Sequence, residues 1–170
     1  MGDVDAMSAL EVFADVPRRD LHELAVLAPP TRFPAGAALF SEGEEAQMAL
    51  LILEGRVEAS IGDGARARVV GQAGPGEIIG EQGLLGGSAR RNATVRAVEP
   101  CACVILSADV LRRARDNEAL VALEGRLLTT LASRIRHSNA VVQDAWRDSV
   151  ATVGGKGSIR DRLRSLWGRR

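Results

Sequence analysis

The chain has 170 residues and a mass of 18.0 kDa, the scale of one domain with room for a short appendage. Apolar residues are 46% of it and aromatics 3%, with no Tyr, so the core must be packed from small aliphatic side chains. Basic and acidic residues balance at 22 each, which excludes a chain steered as a whole toward nucleic acid, and no apolar run approaches the roughly 18 residues of a membrane-spanning helix.

In chain order, residues 8–28 read as helical. Leu10, Val12, Phe13 and Val16 form an apolar set ahead of Pro17. Asp20 is placed to cap a second helix carrying Leu21, Leu24 and Leu27, which Pro29-Pro30 stops. The character changes at Thr31, where short apolar runs are separated by turn residues. Strands are predicted at 31–33, 38–40, 48–53, 57–61, 68–73, 77–79, 94–97 and 102–106. Turn signals recur at Pro34-Ala-Gly36, Glu42-Gly43, Glu54-Gly55, Gly62-Asp-Gly64 and Gly74-Pro-Gly76. Eight short strands at this spacing predict an α+β, mainly β fold built on an eight-stranded jelly-roll β-barrel.

After Ser107 the period becomes helical. Ser107 can cap a short helix through Arg115, and Asp116 or Asn117 can open a long one running to about Trp146. Leu128, Leu131, Ile135, Ser138, Val142 and Ala145 step by threes and fours, a coiled-coil-like seam. It serves either as a homodimer interface along 117–146 or as packing for the helix on its own domain. Residues 151–157 are rich in Gly, and Ser158 with Asp161 begins a last helical pattern with Ile159, Leu163, Leu166 and Trp167 on one stripe. The expected organisation is a binding domain over 8–147, a linker over 148–157 and a basic amphipathic tail over 158–170. From Gly154 onward there are six basic residues and one acid, so the tail carries +5 and the rest of the chain −5. Such a tail suits docking to another protein, peripheral contact with an anionic membrane or nucleic-acid backbone, or no defined structure at all.

The two cysteines, Cys101 and Cys103, share a face if they lie on a strand. Packed reduced thiols are the plainer reading and a redox role the other; no metal-ligand set surrounds them in the sequence. The N-terminus has no signal-peptide pattern, and Lys156 is the only lysine, a composition that suggests a GC-rich bacterial source and a cytoplasmic protein.

The stretch Gly76–Val95 carries the chemistry. A strand ending at Gly80 can be followed by a helical turn from Glu81 to Leu85, whose free backbone N–H groups suit an anion. A polar loop returns Arg91 to the start of the next strand, where its guanidinium can fork onto a phosphate. Glu81 can accept from a ribose hydroxyl. A surface turn with a salt bridge would explain the same residues from spacing alone.

Gly80-Glu81 and, ten residues on, Arg91-Asn92-Ala93 resemble the phosphate-binding cassette of the cyclic-nucleotide-binding domain family, which includes the catabolite activator protein, protein kinase A regulatory subunits and cyclic-nucleotide-gated channels. Phe33-Pro-Ala-Gly36, Leu39-Phe-Ser-Glu-Gly43 and Ile52-Leu-Glu-Gly55-Arg-Val57 are similar to that family's first strands and turns, and the resemblance covers roughly residues 10–147. It implies that Glu81 accepts the ribose 2′-hydroxyl, that Arg91 binds the cyclic phosphate, and that backbone N–H groups of Gly80, Glu81 and Gln82 cradle it. Asn92 stands where most members have Ser, Thr or Ala, so the choice between cAMP and cGMP is open. Ser138 and Asn139 fall where the family places polar residues that reach the base.

The resemblance implies a stand-alone regulatory module, not an enzyme, that binds cAMP (cGMP second, another nucleotide messenger third) between the barrel and the long helix and signals by repositioning the helix. About 24 residues follow Trp146, too few for a helix-turn-helix module, so sequence-specific DNA binding is not expected. No catalytic constellation or metal site is visible, and His22 and His137 read as surface residues. An unknown protein partner at 158–170 is the expected output. The alternative is an interaction module independent of nucleotide, acting through that tail.

Overall fold

The computed structural model describes residues 2–84 and 90–154. The chain divides into two compact units, Met1–Leu127 and Leu128–Arg170.

The first unit is built on eight antiparallel strands: β1 (Thr31–Phe33), β2 (Ala38–Phe40), β3 (Met48–Glu54), β4 (Val57–Ile61), β5 (Arg68–Ala73), β6 (Ile78–Ile79), β7 (Thr94–Ala97) and β8 (Cys101–Ser107). They form two four-stranded sheets, in the orders β1-β8-β3-β6 and β2-β7-β4-β5. Every predicted strand is present. The hydrogen-bonded strands divide into these two sheets rather than one closed barrel.

Two apolar layers hold the unit together. Phe40, Val57, Val95 and Ala97 of one sheet meet Leu50, Ile52, Ile79, Cys101 and Cys103 of the other. The opposite face of the first sheet carries Ala49, Leu51, Leu53, Ala102, Val104 and Leu106, which pack on helical residues Met7, Phe13, Leu21, Leu24, Leu120 and Leu123. β3 and β8 are therefore buried on both faces, which is why Ala49–Leu53 and Cys101–Val104 read as unbroken apolar runs without alternation. Each large aliphatic side chain so buried contributes about 1.5–3 kcal/mol. β5 is an edge strand with Val69 and Val70 exposed.

The helices are α1 (Asp3–Ser8), α2 (Arg18–Leu27), α3 (Ala108–Arg113) and α4 (Glu118–Gly154). The start differs from expectation. The α-helix lies over Asp3–Ser8, where Asp3 and Asp5 suit the positive end of the helix, and Glu11–Phe13 is a 3-10 turn. Leu10, Phe13 and Val16 stand three apart, a repeat the 3-10 geometry satisfies as well as the α-helix does. Ser107 caps α3 as expected, its Oγ accepting from the Val110 N–H at 3.3 Å.

Asp20 does not cap its own helix, which begins beyond Pro17. It caps α4 instead: Glu118 N–H donates to Asp20 Oδ2 at 3.1 Å. Beside it, Ala119 N–H donates to Asn117 Oδ1 at 3.0 Å, and Asn117 Nδ2 donates to the Asp20 carbonyl at 3.0 Å. The Glu118 N–H, then Arg19, hold the Asp20 carboxyl below its ordinary pKa. The long helix thus starts where a side chain 98 residues upstream supplies its cap.

The described part of the second unit is the length of α4 beyond Leu127. The helix continues past Trp146 to Gly154, through most of the expected linker, since no proline and no glycine interrupts 147–153. Leu128, Ile135 and Val142 of the seam are exposed. The expected tail over 158–170 lies outside the described residues. Among the described residues, no helix is long and apolar enough to cross a membrane.

Candidate functional site

β6 ends at Ile79 beside β3, with Ile78 opposite Leu51 and Ile79 opposite Leu50. The next residue, Gly80, has φ +71°, a left-handed conformation that side chains resist. That reversal throws Glu81–Leu84 into a 3-10 turn, closed by the Gly83 N–H to the Gly80 carbonyl at 3.0 Å. The turn sits directly on the β3 backbone: a Cβ on Gly83 would lie 2.7 Å from the Met48 carbonyl oxygen. Glu81 opens the turn and is 3% exposed.

The return segment is held by main-chain pairing with the β2–β3 loop. Arg91 N–H donates to the Glu44 carbonyl and Gly43 N–H to the Arg91 carbonyl, both at 2.8 Å, while Arg90 bridges Glu45. Arg90 Nη1 also donates to the Gly43 carbonyl at 2.8 Å. Backbone pairing therefore aims Arg91 inward while Asn92 faces out.

Arg91 is 7% exposed. Its Nη1 donates to the Gly80 carbonyl at 3.1 Å and its Nη2 to the Met48 carbonyl at 2.8 Å. The guanidinium carbon lies 3.6 Å from the centroid of the Phe40 ring. Nε is buried with no hydrogen-bond partner among the described residues. Burial pushes the guanidinium pKa down, and the carboxylates of Glu44 and Glu81 push it back up. An arginine stays protonated under such a push, so the site holds a buried cation flanked by two acids. The Ser41 N–H, donating to Glu44 Oε2 at 3.0 Å, lowers the pKa of that carboxyl.

The fold thus brings Gly80, Glu81, Gln82, Arg91, Asn92 and Ala93 together on the first unit. Asn92 Nδ2 donates to Gln82 Oε1 at 3.0 Å, tying the turn to the returning strand. Ser138 and Asn139 lie on α4 in the second unit, and both are exposed. Residues 85–89, which include the end of the expected turn at Leu85, lie outside the described residues. Reasoning from sequence overlooked Phe40, Glu44 and the Met48 carbonyl. Phe40 and Glu44 stand within or beside the Leu39–Gly43 motif, but no local signal shows that they meet a residue about 50 positions away.

A buried arginine beside a glycine-reversed turn, with an acid at the turn's first position, can offer a donor to a phosphate and an acceptor to a sugar hydroxyl. A family model described as the cyclic nucleotide-binding domain matches residues 30–118, just over half of the chain, so the chain belongs to that family. A cyclic nucleotide-binding domain from Methylobacillus flagellatus superposes with a TM-score of 0.64 at 25% identity, covering 84% of this chain and 82% of that one. A cAMP-binding acyltransferase from Mycobacterium smegmatis is 33% identical over 65% of this chain and 34% of its own, with a TM-score of 0.55. The catabolite activator protein of Thermus thermophilus shares the fold at 24% identity and a TM-score of 0.61, covering 78% of this chain and 61% of its own.

Proposed function

We propose that this chain is a regulatory, non-enzymatic module that binds a cyclic nucleotide, cAMP first and cGMP second, in the cassette of residues 80–93. The observation that carries it is the buried Arg91 held beside the Glu81 turn, its Nε lacking a partner among the described residues. A phosphate oxygen suits such a donor, and the Glu81 carboxylate suits a ribose hydroxyl. The strand orders of the two sheets are read as a jelly roll, the scaffold this cassette needs. The preference for cAMP draws on the acyltransferase relative, described as cAMP-binding.

The proposal extends to the rest of the chain: a binding domain over 8–147, ligand contacts from Ser138 and Asn139, repositioning of α4 on binding, and a homodimer along 117–146. A protein partner at 158–170, no sequence-specific DNA binding and a cytoplasmic location complete it.

Calorimetry with cAMP and cGMP on the full chain tests the reading. Binding to either supports it; no heat and no change in melting temperature with either sinks it. Arg91→Ala should weaken binding by about 2–5 kcal/mol, roughly thirtyfold or more, since it removes a buried charged partner. Retained affinity would show that Arg91 does not meet the phosphate.

One observation favours the second reading, an interaction module without nucleotide. Both Nη groups of Arg91 are satisfied by backbone carbonyls, and Asn92 pairs with Gln82, so much of the cassette is internally bonded. Removing residues 154–170 should then abolish partner capture while added nucleotide changes nothing.

A further inference from the structure

Three contacts define where Arg91 points. Two are edge contacts, to the carbonyls of Gly80 and Met48; the third is a face contact, to the Phe40 ring at 3.6 Å. Phe40 ends β2, opposite Val95 of β7, just after a register shift between Ala38 and Phe40, and it is 5% exposed. The same ring flanks Gly80: a Cβ there would stand 2.7 Å from Phe40 Cε2 and 2.5 Å from Arg91 Nη1. Ring, guanidinium and glycine form one stack that tolerates no added atom.

The neighbourhood offers Arg91 an alternative. Glu44 and Glu81 both act on its charge, and Glu44 is joined to it through the main chain. A guanidinium that swung onto either carboxylate would be neutralised and would attract an anion poorly. Carbonyl oxygens alone are weak competitors with a carboxylate for a cation. The aromatic face supplies what they lack, an attraction to the cation that leaves its charge available to a further anion. The chain has only three Phe and two Trp, and the other buried residues of the layer around Phe40 are aliphatic or Cys, with Phe33 partly buried against them, so bulk alone does not call for an aromatic at position 40.

We propose that Phe40 is a positioning residue of the anion site: its ring holds the Arg91 guanidinium off Glu44 and Glu81 and keeps it directed to the phosphate. The assignment rests on the reading that Arg91 meets a cyclic nucleotide. It separates from a packing role because the two predict opposite orders of substitution. Packing favours Phe40→Leu, which stays apolar, over Phe40→Tyr, which brings a hydroxyl into a buried layer. Positioning favours Phe40→Tyr, which keeps the aromatic face.

The test uses the full chain as wild type, F40L and F40Y, with cAMP as the probe, measured by calorimetry beside thermal melts. F40L should bind about tenfold more weakly than wild type, and F40Y within about threefold of it, although F40Y melts no higher than F40L. Affinities that follow the melting temperatures, or an F40L protein binding as wild type does, would overturn the proposal. A second measurement needs no ligand: the Arg91 Nε–H proton resonance, identified by its loss in R91K. Ring current should displace it upfield in wild type and F40Y, and F40L should move it downfield. A resonance unmoved in F40L overturns the positioning itself, whereas a wild type that binds no cyclic nucleotide refutes the functional reading instead.

Discussion

Replacing Gly80 by Ala strikes the backbone and the site at once, and the two contributions can be separated. The residue sits at φ +71°, where a Cβ costs about 1–2 kcal/mol. That Cβ would lie 2.5 Å from Arg91 Nη1 and 2.7 Å from Phe40 Cε2, closer than real contacts, so something must move. The guanidinium is the far end of a flexible side chain and moves most readily. In moving it gives up its charge-assisted bond to the Gly80 carbonyl and its place over the Phe40 ring; with rehydration set against them, these amount to about 1–3 kcal/mol. The whole substitution should therefore destabilise by about 2–5 kcal/mol, a large share of a small domain's stability. Urea denaturation of wild type, G80A, R91A and the double variant measures this as a cycle. With Arg91 truncated, the Phe40 ring gains room to shift, and G80A should cost about 1–3 kcal/mol less than in wild type. Equal cost in both backgrounds would show that Gly80 does not make way for Arg91.

Asp20→Asn should lower the melting temperature at pH 7, because the Glu118 N–H and Arg19 stabilise the charged carboxylate. The Asp20 pKa is below 3.8 in the folded state, so this contribution is fully present above that value and disappears as pH falls through the folded pKa. The gap between wild type and D20N should then close in acid; a gap independent of pH would refute the charged cap. Cys103 is fully buried and its thiol pKa is pushed up to about 12 by desolvation, while burial also raises that of Cys101; neither should react with a disulfide reagent at pH 8 unless denaturant is added. Rapid labelling of the native chain would refute this packing. Gly55→Ala should be severely destabilising, by about 3 kcal/mol or more, since φ is +83° and its Cβ would lie 2.4 Å from the Pro100 carbonyl oxygen; an unchanged urea midpoint would contradict that close approach.

The two kinds of information divide by distance along the chain. All eight strands were legible because turn residues and short apolar runs are local signals, and the Ser107 cap because cap and N–H stand three residues apart. That Glu81 and Arg91 come together was legible because the motif that carries them is one continuous stretch. What remained hidden was every partner chosen by tertiary folding. Asp20 reads from sequence as the cap of α2, yet it lies inside that helix, whose N-cap is Pro17, and its carboxylate goes to α4, since packing α2 on the first sheet leaves it facing the start of the long helix. The apolar runs of β3 and β8 mark burial on both faces without saying which face meets a sheet and which meets helices. Phe40 and the Met48 carbonyl hold Arg91 from 51 and 43 positions away, a distance at which residue type specifies no partner. Sequence therefore determined which chemistry is present at 80–93; the closure of β2, β3 and β6 around Arg91 decided how its charge is held, because only the folded packing makes carbonyl edges and an aromatic face converge on one guanidinium.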